Sequence, residues 1–311
     1  DSLQLLPDYC FANQLVRFGF LVQEPHTSAT LRARALWSIL STHGLSVGTV
    51  AWPLTQPTPV VRGYIVGDSY LKLAGTPTGI VDSPAVFPGD IQMDVARAAA
   101  RALAEAPAVP ADARALEQRH EGPGRADRAY DRIARDLADE HSPQVTLTRY
   151  QGLDAIGHYF LRYALPLEFG DVADDEHRAL GDVLERHYRL IDDAVGRAIQ
   201  GLGPDDLLLV VSGYGMEPMG LGRRLVERAI GDADLNGTHD SAPDGFLMAY
   251  GASVARGRSL PRASVVDVTP TILYFLGLPI GRDMDGYARA DLFQRAFTDE
   301  RPITFIPTYD R

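Results

Sequence analysis

Short apolar runs alternate with amphipathic stretches along this chain, and that alternation restricts its fold more than any other feature. Residues 207–211 (LLLVV) are continuously apolar, which is typical of a strand buried on both faces of a parallel sheet. Residues 46–52 (SVGTVAW), 145–148 (VTLT) and 245–250 (GFLMAY) predict further strands. Because helical patterns separate these strands, we predict an α/β fold, a three-layer α/β/α sandwich around a mostly parallel central sheet.

The predicted helices differ in character. Residues 175–199 have an apolar stripe that includes His187, as expected of a helix packed on a core. Residues 91–104 are also helical in pattern, whereas residues 111–140 are helical, heavily charged and interrupted by Gly122-Pro123-Gly124. From about residue 75 to residue 140 we therefore predict a helical and irregular cap insertion within a single domain, 1–311. The charges of this cap are interpreted as a solvated helical face.

Charge and cysteine content limit the function classes. The formal net charge of −11 repels nucleic acid and anionic membranes, so no nucleic-acid binding is expected. A small anionic substrate remains compatible with this charge, because a local metal ion can reverse the field inside a cleft. Cys10 is the single cysteine, so no intrachain disulfide forms. No membrane-spanning window and no signal peptide are visible, which favours a cytoplasmic protein. The sequence carries no indication of oligomeric state.

The residues that follow the 145–148 strand include a pair of metal-ligand types. Asp154 and His158 are four positions apart, and on a helix this spacing places both side chains on one face. A carboxylate and an imidazole there can share a divalent cation. The pattern alone is weak evidence for a metal site, because it also fits a surface Asp–His pair, or Asp154 as the N-cap of a helix.

His239 lies in a polar loop, Asn236-Gly237-Thr238-His239-Asp240, ahead of the 245–250 strand. It is either an exposed loop histidine or the third member of a set with Asp154 and His158. Three protein ligands with one open position are typical of a catalytic metal. We expect one divalent cation, with zinc favoured and manganese or iron as alternatives.

Five segments occur in an order that resembles a known family. They are LDAIGHYFLRYALP, HYRLIDDAVGRAI, LLLVVSGYGMEPM, NGTHDSAPDGFLMAYG and VVDVTPTILYFLGLPIGRDMDG. Together they resemble the type I phosphodiesterase/nucleotide pyrophosphatase branch of the alkaline phosphatase superfamily. The segment ALWSILSTHGLSVGTVAWPLTQP is similar to the region downstream of that family's nucleophile.

The resemblance implies a two-metal site for phosphoryl transfer, with Asp154, His158 and His239 binding one metal. The second metal would be bound by an Asp–His pair after a strand, an upstream Asp and a Thr or Ser nucleophile. Here the post-strand segment reads Ser212-Gly213-Tyr214-Gly215-Met216. Gly213 has no side chain, and a protonated tyrosine such as Tyr214 is a poor ligand. The second site is therefore expected to be degenerate.

Upstream of Ala35, the first strand and nucleophile segment of the family are not recognisable in the sequence. Thr27 is the weak candidate for a nucleophile, with Ser28 beside it, but their context PHTSAT does not match. The chain is thus expected to lack the N-terminal part of the family fold.

These observations leave two hypotheses for function. One is a metal-dependent hydrolase of small phosphate esters or diesters, weakened or inactive because its second metal site is degenerate. The other is a pseudoenzyme that keeps the fold and acts as a binding module. A sulfatase-like activity is remote, because Cys10 in PDYCFANQ does not match a sulfatase motif.

Overall fold

The computed structural model describes residues 12–17, 20–74, 84–106, 116, 122–260 and 262–310. Cys10 lies outside these residues. The chain divides into two compact units, and each is described by itself. The first unit contains Asp1–Ile191 and Met216–Ser241, and the second contains Asp192–Gly215 and Ala242–Arg311. The single domain predicted over 1–311 stays a prediction.

A mostly parallel sheet organises the first unit, as predicted. Strands are numbered along the chain. The first two, β1 (Ala12–Arg17) and β2 (Phe20–Pro25), form a separate antiparallel hairpin. The sheet contains β3 (Val47–Val50), β4 (Gly63–Val66), β5 (Val86–Phe87) and β6 (Val145–Thr148), in the order β5-β4-β3-β6. The β3 strand is parallel to both β4 and β6, and only the edge strand β5 is antiparallel to its neighbour. The three-layer arrangement stays a prediction.

The helices are also numbered along the chain. Those that begin in the first unit are α1 (Leu36–Thr42), α2 (Tyr70–Ala74), α3 (Gln92–Glu105), α4 (Gly122–His141), α5 (Gly152–Ala164), α6 (Pro166–Phe169), α7 (Asp174–Leu180), α8 (Val183–Gly201) and α9 (Leu221–Ile230). The long helix predicted over 175–199 is therefore two helices, α7 and α8. A short antiparallel pair, β8 (Glu217–Pro218) with β9 (Gly237–Thr238), completes this unit.

The described parts of the predicted cap belong to the core of the first unit. Residues of β5, α3 and α4 share one buried cluster with Val50 and Val66 of the sheet. On α4, Ala129, Ile133 and Leu137 recur every four residues and are at most 1% exposed. Charged residues lie between these apolar positions in the sequence, so the apolar stripe was not recognised there. The interpretation of this segment as a solvated helix outside the core is therefore corrected for these residues. Residues 75–83, 107–115 and 117–121 of the predicted cap lie outside the described residues.

The second unit contains an antiparallel ladder. The strand predicted at 207–211 is present as β7 (Leu208–Tyr214), but it pairs antiparallel with β10 (Asp244–Tyr250). Its residues are half-buried or exposed, so the expected burial in a parallel sheet is corrected. An apolar run indicates a strand, but it carries no information about the direction of the neighbouring strand.

Aromatic packing stabilises the rest of the second unit. Helix α10 (Val268–Phe275) brings Tyr274 against Phe293 and Phe297, which stack with their ring centroids 4.8 Å apart. Two shorter strands, β11 (Ile280–Gly281) and β12 (Phe305–Ile306), pair in parallel, and α11 (Arg295–Glu300) lies between them in sequence. Among the residues described in either unit, no helix is both long and apolar enough to cross a bilayer.

Candidate metal centre

Helix α5 follows β6 directly and carries two of the three predicted ligands. The backbone N–H of Arg149 extends the β3–β6 pairing by donating to the Val50 carbonyl at 3.1 Å. The helix begins three residues later, at Gly152, which places Asp154 in its first turn and His158 one turn further on. Oδ1 of Asp154 and Nε2 of His158 are 3.9 Å apart, so the predicted helical spacing does bring the two side chains together.

The third predicted ligand arrives on a loop that is hydrogen-bonded to α5. Asn236 donates its backbone N–H to the His158 carbonyl at 2.8 Å. Its side-chain oxygen accepts from the Arg162 N–H at 2.9 Å, and its amide group donates to the carbonyl oxygens of Tyr159 and Asp234. The side chain is buried, so this asparagine fixes the position of the loop just ahead of His239.

The three predicted side chains meet at one point. One ligand atom from each of Asp154, His158 and His239 lies within 4.8 Å of the others. Nε2 of His239 is 2.8 Å from Oδ1 of Asp154, and the two imidazole rings are edge-on with centroids 4.8 Å apart. The alternative of Asp154 as N-cap is not observed, because Gln151 occupies that position.

The contacts around these residues fit a divalent cation. Nδ1 of His158 lies 2.8 Å from the Gly237 carbonyl oxygen. A carbonyl only accepts, so Nδ1 carries the proton and Nε2 keeps its lone pair for a metal. Nε2 of Gln151 donates to Oδ2 of Asp154 at 2.9 Å, which holds that oxygen and leaves Oδ1 toward the histidines. Hydrogen bonds of this kind orient the ligands in known metal sites.

Glycines allow the loop and the helix to approach each other closely. A Cβ added to Gly237 would lie 2.6 Å from the Gly157 carbonyl oxygen and 2.7 Å from Sδ of Met216. Only a glycine fits against backbone at that distance. The sequence indicated a glycine-containing loop here, but its close packing against α5 has no local sequence signature.

Arg223 of α9 also supports the loop. Its role was not predicted from the sequence. Its guanidinium forms an ion pair with Asp240 and donates to Oγ1 of Thr238 at 3.2 Å. Thr238 and Asp240 flank His239 in sequence. The hydrogen bond from Arg223 lowers the pKa of the Asp240 carboxyl below its ordinary value, which keeps the carboxylate charged.

The structure also describes the remaining predicted residues. Thr27 precedes a 3-10 turn, Ser28–Thr30, and its carbonyl accepts from the Thr30 hydroxyl at 2.7 Å. The Ser28 hydroxyl donates to the Pro57 carbonyl at 2.6 Å, which ties this turn to the loop after β3. Gly213 and Tyr214 are the last two residues of β7, and the tyrosine side chain is exposed. The nucleophile and second-metal roles of these positions stay predictions.

Comparison with known sequences identifies the family. A sequence profile described as type I phosphodiesterase / nucleotide pyrophosphatase matches residues 8–267. The chain belongs to this family. The family is a branch of the alkaline phosphatase superfamily, whose members are typically metal-dependent hydrolases. The match begins upstream of Ala35, where no motif was recognised, and it ends before α10.

Searches among curated proteins and among solved structures return no significant match.

Proposed function

We propose that this chain is a phosphoric ester hydrolase domain that binds one divalent cation through Asp154, His158 and His239. A single observation carries the proposal: the three residues implied by the family motifs converge, from two separate segments, on one point. One carboxylate oxygen and two imidazole nitrogens suit zinc, with manganese or iron as alternatives. The cation would polarise a phosphoryl oxygen of a small phosphate ester or diester.

We further propose that turnover is weak or absent. A two-metal site clamps the attacking and the leaving oxygen of an in-line displacement. Gly213 offers no ligand atom, and the Tyr214 phenol is a poor ligand at neutral pH. With one cation, phosphoryl polarisation remains, but activation of a nucleophilic hydroxyl by the second metal is lost.

Gly213 and Tyr214 also favour a second candidate function. A family member that retains one cation without the second site can bind a phosphate ester and release it unchanged. The chain would then be a pseudoenzyme that acts as a binding module. Turnover separates the two candidates, since both bind one metal.

The experiment measures metal content and activity on the same preparation. Elemental analysis of zinc-loaded protein should give one equivalent per chain, and Asp154→Ala should reduce it to near zero. Hydrolysis of an aryl phosphodiester with Zn²⁺ or Mn²⁺ should be slow or undetectable. Two equivalents of metal, or robust turnover that Asp154→Ala abolishes, would refute the degenerate second site. No bound metal would refute the proposed metal centre itself.

A further inference from the structure

Two aspartates of α4 are buried against the segment that leads into α5. Asp127 is 1% exposed and Asp131 is 5% exposed, although both belong to a helix dominated by surface charge. Buried carboxylates are costly unless hydrogen bonds satisfy them. Their partners therefore indicate what these two residues stabilise.

Asp127 holds the start of the ligand-bearing helix. Its Oδ1 accepts the backbone N–H of Gln151 at 3.0 Å, and its Oδ2 accepts the backbone N–H of Gly152 at 2.8 Å. These two N–H groups belong to the N-cap and the first residue of α5, which lack partners within the helix. Asp131 holds the preceding residue, since its Oδ1 accepts from the Tyr150 hydroxyl at 3.0 Å.

His187 completes the environment of Asp127. Nε2 of His187 lies 3.0 Å from Oδ2 of Asp127, and both side chains are at most 4% exposed. The carboxylate can only accept in this contact, so Nε2 carries a proton. A Cβ on Gly152 would lie 2.6 Å from Oδ2 of Asp127 and 2.9 Å from Cε1 of His187, so no larger residue fits at this position without a shift of its neighbours. The apolar stripe of α8 thus contains one polar residue, and its partner is this carboxylate.

One residue joins this buried pair to the candidate metal centre. Gln151 donates its backbone N–H to Asp127 and its side-chain amide to Oδ2 of Asp154. The other oxygen of Asp154 contacts His239. A continuous path of hydrogen bonds therefore runs from His187 through Asp127 and Gln151 to a proposed metal ligand.

We propose that Asp127, held by His187, is a positioning residue that fixes the first turn of α5 and, through Gln151, the carboxylate of Asp154. The inference rests on the proposed function only where it treats Asp154 as a metal ligand. Groups outside the ligand sphere that orient a ligand typically change metal affinity about 10–100-fold when they are mutated.

The test compares three variants of the full chain with the wild type. Asp127→Asn keeps the shape of the side chain but replaces an acceptor oxygen with a donor group. Gln151→Ala removes only the side-chain link, and Gln151 is exposed, so folding should not depend on it. Asp136→Asn is the matched control, because Asp136 lies on the same helix and pairs with Arg132 instead.

Two readouts are needed. Hydrogen exchange of metal-free protein should show protected amides at Gln151 and Gly152, and Asp127→Asn should lose that protection. Zinc titration should show affinity about 10–100-fold weaker in Asp127→Asn and in Gln151→Ala. Gln151→Ala should keep the Gly152 protection, and Asp136→Asn should match the wild type in both measurements.

Each outcome separates the two ideas. The positioning role is overturned if the Gln151 and Gly152 amides of Asp127→Asn stay as protected from hydrogen exchange as in the wild type. It is also overturned if Asp127→Asn loses that protection but binds zinc as tightly as the wild type. If the wild type binds no zinc, the proposed function fails, while the exchange measurement still decides whether Asp127 fixes the turn. If Asp127→Asn does not fold, unchanged zinc affinity in Gln151→Ala overturns the link to Asp154.

Discussion

Nε2 of His239 lies 2.8 Å from Oδ1 of Asp154, although 85 positions separate the two residues in sequence. In this contact the imidazole N–H donates to the carboxylate. The loop and the helix therefore already hold the two proposed ligand atoms in contact. Metal binding would therefore replace the proton and require little movement of the backbone.

Zinc should stabilise the folded chain. A ligand that binds only the native state at a hundred times its Kd adds about 2.7 kcal/mol to the free energy of unfolding. We therefore expect a higher Tm with excess zinc, measured by thermal unfolding, and no such shift in Asp154→Ala. Glu168→Ala removes an exposed carboxylate of α6 and serves as the control. An equal shift in Asp154→Ala would contradict the assignment of Asp154 as a ligand.

Asn236→Ala should weaken both the fold and the metal centre. The substitution removes the buried side chain that accepts from the part-buried Arg162 N–H, and it frees the loop ahead of His239. Loss of one buried hydrogen-bond partner typically costs about 1–3 kcal/mol. Urea unfolding should show a loss of this size, and zinc affinity should fall in parallel. Asn236→Asp keeps an acceptor for Arg162 but sets a carboxylate oxygen against the carbonyl oxygens of Tyr159 and Asp234, so it should also lose stability. Wild-type stability and zinc affinity in Asn236→Ala would argue against this role.

Two glycine-to-alanine substitutions should have opposite effects. Gly237→Ala places a methyl group 2.6 Å from the Gly157 carbonyl, so the loop must move away from α5, which lowers stability and zinc affinity. Gly222→Ala lies in α9 with open space around it and should stabilise the chain by up to about 1 kcal/mol. Denaturant unfolding with and without zinc checks both. A harmless Gly237→Ala would show that the close approach is not required.

The sequence predicted the positions of helices and strands better than it predicted which elements pack or pair with one another. Strand β6 falls on the predicted residues 145–148, and α5 is the helix on which the predicted pairing of Asp154 with His158 depends. Helix α4 was misjudged, because its charged residues outnumber the buried ones that recur every four positions. Pairing of β7 with β10 depends on which strands meet in space, and the apolar composition of either strand does not encode that.

The candidate site shows the same division. Asp154 and His158 are four residues apart, so a helix alone brings them together. His239 is 81 residues beyond His158, and the spacing gave no reason to join them; the resemblance to a family did. The sequence did not reveal the roles of three further residues, Asp127, His187 and Arg223. An aspartate or an arginine on a charged helix, or a histidine on an apolar stripe, has no local signature of its role.

Metal-binding side chains at the proposed second-site positions, Gly213 and Tyr214, should create a second metal-binding step. A Cβ on Gly213 would lie 3.6 Å from Cγ1 of Val265, an ordinary contact, so the position has room for a β-carbon. The double variant Gly213→Asp/Tyr214→His places at the end of β7 the Asp–His pair that the family resemblance implies. Two ligands bind a cation more weakly than three, so calorimetric titration with zinc should show the wild-type step followed by a second, weaker one. The control, Gly213→Ala/Tyr214→Phe, adds bulk without metal ligands and should keep a single step. A single step in both double variants would show that Gly213 and Tyr214 are not what limits this chain to one metal.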